Sequence, residues 1–408
     1  MNRFLKWTLR IFGVIILIGG LVVTWNWDRL QRLLKVNSLF AAENIVTNFS
    51  GMNKMFFNRE MEVKSATPHP LPLAPMAMPE TLSFRGTTIS FEDWQKERDQ
   101  TAMVILKDGK IAYEAYFKDT TPEDRRISWS MAKSYLSAAF GVAVRDGHIP
   151  DLNAQVTDYV PELAETAYKD ATIRNVLNMA SGVKFNEDYL DFNSDINRMG
   201  RVLALGNSMD GFAASLSEQA REAGSKRQYV SIDTHVLSMV LRAATGRDVP
   251  DYLSETILKP LNMEADAYYL TDGYGTAFVL GGLNLRTRDY ARFGLMFAQG
   301  GRLGDTQIVP ADWVEQSTSQ SAPPPYEDDE GTDNGLLGYG YQWWLPPDAK
   351  AGEFFAIGVY GQYIYVDSAR NVVIAVNGAD RNFRDDDGRI TVMNLEHFRQ
   401  IARHLDGS

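Results

Sequence analysis

The stretch "ISWSMAKSYLSAAFGVAV", residues 127–144, decides the fold. It is nearly continuous apolar sequence, the pattern of a helix covered on all sides. Its first turn nonetheless carries Ser130 and Lys133. An ammonium group beside a core is costly unless it finds a partner or gives up its proton. Positions i and i+3 of a helix share a face, so the hydroxyl and the amine can meet. Serine is a poor nucleophile at neutral pH without an adjacent base. A lysine becomes that base when burial lowers its pKa from a free value of about 10.4. The N–H groups that open a helix also point at an incoming oxyanion.

Alone, S-x-x-K is a weak pattern, and Ser181 with Lys184 repeats it. In "TIRNVLNMASG" Thr172 reads as an N-cap, with Ile173, Val176, Leu177 and Ala180 on one face and Gly182 as the helix stop. Ser181 and Lys184 then straddle a helix end, whereas Ser130 opens a helix. Context selects Ser130. Rival signatures are missing from the sequence: no G-x-S-x-G elbow, no H-E-x-x-H helix, no Walker or dinucleotide loop. His69, His148, His397 and His404 read as surface or packing residues, and a Ser-His-Asp triad would have to run through His235.

The chain has 408 residues and a formal net charge of −11, with no Lys/Arg-rich run, which argues against a nucleic-acid partner. It has no cysteine, so disulfides and thiolate metal sites are excluded. Residues 1–28 are expected to be a transmembrane anchor. Here "IFGVIILIGGLVVTWNW" follows Arg3, Lys6 and Arg10, with Trp25 and Trp27 at interfacial positions. A cleaved signal peptide is the competing reading, but no small-x-small site directly follows the apolar run. Basic residues on both sides discriminate weakly and favour an exported body. Residues 29–79 read as a juxtamembrane segment ending in the proline-rich arm "TPHPLPLAPMAMPE", and 80–408 as the catalytic domain.

Within that domain, "TAMVILKDGKIAYEAYF" is a hairpin turning on Asp108-Gly109. "FFAIGVYGQYIYVDSARNVVIAV" gives further strands, and a last helix repeats Val392, Leu395, Phe398, Ala402 and Leu405. Residues 147–300 are richer in helical patterns. An α/β (α+β) architecture follows: one antiparallel sheet shared by both ends, flanked by helices, plus a mostly helical subdomain. The proline- and acid-rich stretch 321–335 reads as a solvated loop.

Several motifs in order resemble the serine β-lactamase and penicillin-binding-protein superfamily, in its class C-like branch with 6-aminohexanoate-dimer hydrolases, related esterases and DD-peptidases. They are "SMAKSY", "TIRNVLNMASGVKF", "YVSIDTHVL", "VLGGLNLRTRDYARFGLMFAQGG" and "GVYGQYIYVD", spread over roughly 80–405. The resemblance implies that Ser130 attacks the carbonyl, Lys133 takes its proton, and Tyr229 passes it to the leaving group. It implies an oxyanion hole from the N–H groups of Ser130 and Gln362, with Gly361 allowing close backbone approach. Tyr189 in "NEDY", Tyr360 and Ser231 would line the substrate site. Two departures matter: Ser231 stands where many relatives have asparagine, and Val359-Tyr360-Gly361 where β-lactamases carry Lys-Thr-Gly. The expectation is a membrane-anchored serine hydrolase for a small ester or linear amide, without metal or organic cofactor. A DD-peptidase or β-lactamase, or a non-catalytic sensor on the same fold, are the alternatives.

Overall fold

The computed structural model describes residues 3–326, 333–384 and 389–407. Its helices include α1 (Arg3–Trp25), α2 (Trp27–Asn37), α3 (Ala132–Arg145), α4 (Asp195–Leu205), α5 (Ser231–Thr245), α6 (Thr287–Ala298) and α7 (Arg389–Asp406). Among the described residues one antiparallel sheet has seven strands: β1 (Gln100–Lys107), β2 (Lys110–Tyr116), β3 (Gly338–Tyr339), β4 (Trp344–Leu345), β5 (Glu353–Gly358), β6 (Gln362–Asp367) and β7 (Val372–Gly378). Their spatial order is β3-β4-β5-β6-β7-β1-β2. The two ends of the domain therefore meet in the β7–β1 pair, Ile374 opposite Ile105.

The hairpin expected at Asp108-Gly109 joins β1 to β2, and both turn residues are left-handed at φ 53 and 73. That geometry suits the twist of a two-residue hairpin. Successive side chains of a strand face opposite ways. On β1, Val104 and Leu106 join a core with α3, α5 and α6, while Met103 and Ile105 pack with Leu395, Phe398 and Ile401 of α7. Both faces are covered, which is why these strands read as unbroken apolar runs.

One expectation needs correction. The helix after Thr172 is capped as expected, Asn175 N–H donating to Thr172 Oγ1 at 3.1 Å. It ends at Leu177, however, because Met179 turns left-handed at φ 54, and Gly182 lies further on in a loop. Within residues 29–79, Leu39, Ile45, Phe49, Met52 and Met61 belong to the main core. The proline-rich arm then runs along β2, with Ala74 N–H donating to Ile111 O.

The segment expected as an anchor is not supported as a single span. No single helix among the described residues is long and apolar enough to cross a membrane. Asn26 leaves helical geometry (φ −103, ψ 15), and the Arg10–Trp25 and Arg29–Val36 pair is bent by 67°. The bend lays α2 on the body, where Leu33 and Val36 reach the core and Arg32 Nε donates to Ala204 O of α4. Residues 327–332 of the acid-rich stretch lie outside the described residues.

Candidate active site

A second antiparallel sheet positions the nucleophile. Its strands run Asn58–Met61, Ala267–Leu270, Leu283–Leu285 and Arg126–Ile127. The last delivers the chain into a short 3₁₀ turn, Trp129–Met131, that continues as α3. Trp129 is held left-handed at φ 42, a strained conformation for a bulky side chain. Strand β5 passes directly over this turn. A Cβ on Gly358 would lie 2.5 Å from Ser128 O and 3.0 Å from Trp129 Cβ, so only glycine lets the strand approach.

Ser130 is half-buried, and Lys133, 2% exposed, places Nζ 2.8 Å from Ser130 Oγ. Lys133 Nζ also donates to Leu280 O at 2.9 Å. A neutral amine has two N–H donors and one lone pair, so this bond helps aim the lone pair at the serine. Burial pushes Lys133 down to about 7, against the charge of Glu187, which works to raise it. Tyr229, two residues before α5, has its ring centroid 5.2 Å from Lys133 Nζ, and the Ser130 and Ser231 hydroxyls act on its own hydroxyl. Burial and the Glu187 charge push that hydroxyl well above its ordinary value, and its hydrogen bonds only partly offset this. The magnitudes separate the two groups: Lys133 can be neutral at pH 7, and Tyr229 keeps its proton.

The remaining expected residues divide. Ser231 is 1% exposed and gives both its N–H (2.9 Å) and its hydroxyl (2.5 Å) to Glu187, so it supports Tyr229 and Glu187 rather than facing substrate. Tyr189 is half-buried, donates to Glu187 Oε1 at 2.8 Å, and has the Arg384 guanidinium 4.8 Å from its ring. Gln362 opens β6, and its buried amide holds the preceding turn, donating to Tyr360 O at 3.0 Å and Gly378 O at 2.9 Å. Gly361 is needed for its left-handed φ of 82, not for close approach, since a Cβ there would meet nothing nearer than 3.6 Å. Tyr360 stacks on Phe40 at 4.7 Å.

His235 is committed elsewhere, Nε2 lying 2.8 Å from Asp210. Ser181 donates to buried Asp233 at 2.7 Å, and exposed Lys184 pairs with Glu218, so the second S-x-x-K is not a site. Sequence reasoning missed Glu187, Gly358, Arg384 and Phe40. Glu187 carried one signal, its place two residues before Tyr189 in "NEDY". The others owe their position to tertiary contacts.

Comparison with known proteins now defines the class. The Beta-lactamase profile matches residues 91–395. The chain is 30% identical over 279 residues to the 6-aminohexanoate-dimer hydrolase of Paenarthrobacter ureafaciens, covering 67% of this chain and 71% of that one. Among solved structures it is similar to a Bacillus anthracis protein assigned as a 6-aminohexanoate-dimer hydrolase (TM-score 0.77, 21% identity, 90% of this chain and 96% of that one). It also resembles a family VIII carboxylesterase (TM-score 0.57, 17% identity, 76% and 95%). The protein is thus a serine hydrolase in class. The chain belongs to the Beta-lactamase family.

Proposed function

We propose that this enzyme cleaves a small linear amide or ester through an acyl-enzyme on Ser130. The observation that carries the reading is the 2.8 Å contact between Ser130 Oγ and a buried lysine amine whose pKa falls to about 7. Ser130 Oγ bonds to the carbonyl carbon as its proton passes to Lys133. The oxyanion is held by the N–H groups of Ser130 and Gln362. On collapse, the C–N or C–O bond breaks and the leaving group takes the Tyr229 proton. Tyr229 is then restored from the Lys133 ammonium. Water then attacks the acyl-serine and gives a proton to Lys133; on collapse the C–O bond to Ser130 Oγ breaks, Oγ takes that proton back, and the acid is released. No step calls for a metal or organic cofactor.

Relatives named as a dimer hydrolase and a carboxylesterase support amide and ester substrates. Against penicillins and D-Ala-D-Ala peptides stands Val359, in place of the third-motif lysine that would meet their carboxylate. A lost charge-assisted bond costs about 1.5–3 kcal/mol, or roughly tenfold to a hundredfold. The specificity constant for p-nitrophenyl acetate should therefore exceed that for nitrocefin in one preparation. Efficient nitrocefin turnover, abolished in Arg384→Ala, would move the reading to a β-lactamase.

We further place α1 in a membrane and the body outside the cytoplasm, a reading supported by its exposed apolar side chains (Leu17 is 66% exposed). A C-terminal phosphatase fusion should be active and stay in the membrane fraction. A soluble full-length chain would remove the anchor.

A further inference from the structure

The segment before the family match does more than join α2 to the body. Leu39 is 2% exposed and anchors in the core, while the next residue, Phe40, is 36% exposed and stacks on Tyr360 with its plane tilted only 15°. Phe40 also packs against Trp129 at 5.9 Å, the residue before the nucleophile. Tyr360 in turn meets Phe383 at 4.8 Å, and Phe383 meets Tyr189 at 6.5 Å. The chain of rings thus runs from Phe40 past Trp129, next to the nucleophile, to Tyr189, whose hydroxyl donates to Glu187.

These rings are rigidly mounted. Asn48 Nδ2 donates to Leu39 O at 3.1 Å, fixing the turn that presents Phe40. Buried Arg126, just upstream of Ser130, donates to Val46 O and Ser50 Oγ, each at 2.7 Å. Fully buried Phe49 sits beneath, edge-on to Trp129 and Tyr360. A fixed, half-exposed ring is ready to take another flat apolar group, because little ordering is left to do on binding. Trp129 directly precedes Ser130 and Tyr360 lies two residues before Gln362, the two residues whose N–H groups hold the acyl carbonyl in the proposed mechanism, so the acyl group is the part of the substrate assigned to these rings.

We propose that Phe40 is a specificity-determining residue that, with Tyr360 and Trp129, forms a subsite for an aromatic acyl group. The inference rests on acylation of Ser130. The test uses the full chain and p-nitrophenyl esters, so that only the acyl group varies. Wild type should prefer phenylacetate to acetate in kcat/KM, and Phe40→Ala should cut that ratio about tenfold, with Phe40→Trp keeping it. A ratio unchanged in Phe40→Ala, or both esters falling together, would overturn the proposal. A mass adduct on Ser130 reports the chemistry separately. If none forms, the acyl-enzyme reading fails, and calorimetry of 3-phenylpropanamide on Ser130→Ala still reads the subsite. Binding about tenfold weaker in Ser130→Ala/Phe40→Ala supports it, and equal binding refutes it.

Discussion

Lys133 contacts the Ser130 hydroxyl and has the Tyr229 ring 5.2 Å away, and burial moves the proton affinities of lysine and tyrosine in opposite directions. The lysine loses its proton near neutrality, so kcat/KM for an uncharged ester should rise with pH through about 7. Glu187 works to raise Lys133, so Glu187→Gln should move this limb to lower pH. A limb that stays put in the pH–rate profile would separate Glu187 from the lysine. Lys133→Arg should lose about 10²–10⁴-fold, because a guanidinium does not give up its proton in this range. Ser130→Ala should abolish fluorophosphonate labelling. Ser181→Ala should keep labelling and lose about 1 kcal/mol of stability, having given up its bond to Asp233. An adduct found on any peptide without Ser130 would overturn the assignment. Ser130 and Lys133 were legible in the sequence because their pairing is local, one helical turn in an apolar run. Glu187 was not, because its bonds to Ser231 cross from a loop to α5.

Gly358 of strand β5 lies against Ser128 and Trp129, where the Trp129–Met131 turn begins, and there the geometry of the nucleophile depends on a neighbouring element. Gly358→Ala must push that turn aside. A displacement of about 1 Å can cost about a hundredfold in rate, so kcat/KM should fall by that order while circular dichroism stays native. Retained activity would show that the strand gives way instead. The hairpin at Asp108-Gly109 could be read because its turn chemistry is carried by two adjacent residues. The helix end at Leu177 was misplaced because Met179, with no glycine's freedom, adopts the left-handed turn. The bend at Asn26 escaped for a related reason: apolar content measures what a helix could enter, not whether α2 has a better surface on α4.

Stability of the whole molecule should carry opposing pH signatures from two buried groups. Asp233 is pushed up to about 7, chiefly by burial, so the folded state holds its proton where the unfolded chain has lost it. Its contribution is full below about 4 and is lost as pH rises through about 7. Lys133 acts the other way: between about 7 and 10.5 the unfolded chain binds the extra proton, and stability rises with pH. From pH 5 to pH 8 the urea midpoint should therefore fall in wild type, where Asp233 dominates, and rise in Asp233→Asn, where only Lys133 acts; a fall that persists in the variant would refute the Asp233 shift. The pairing of β7 with β1 has a consequence in time. Residues 372–378 must find residues 100–107, and Gln362 sits one strand away from that seam. A chain emerging from the ribosome presents Ser130 and Lys133 early, long before the strand that carries Gln362 can pair with β7. In the proposed mechanism, a chain cut before Gln362 would carry its nucleophile without the second oxyanion donor.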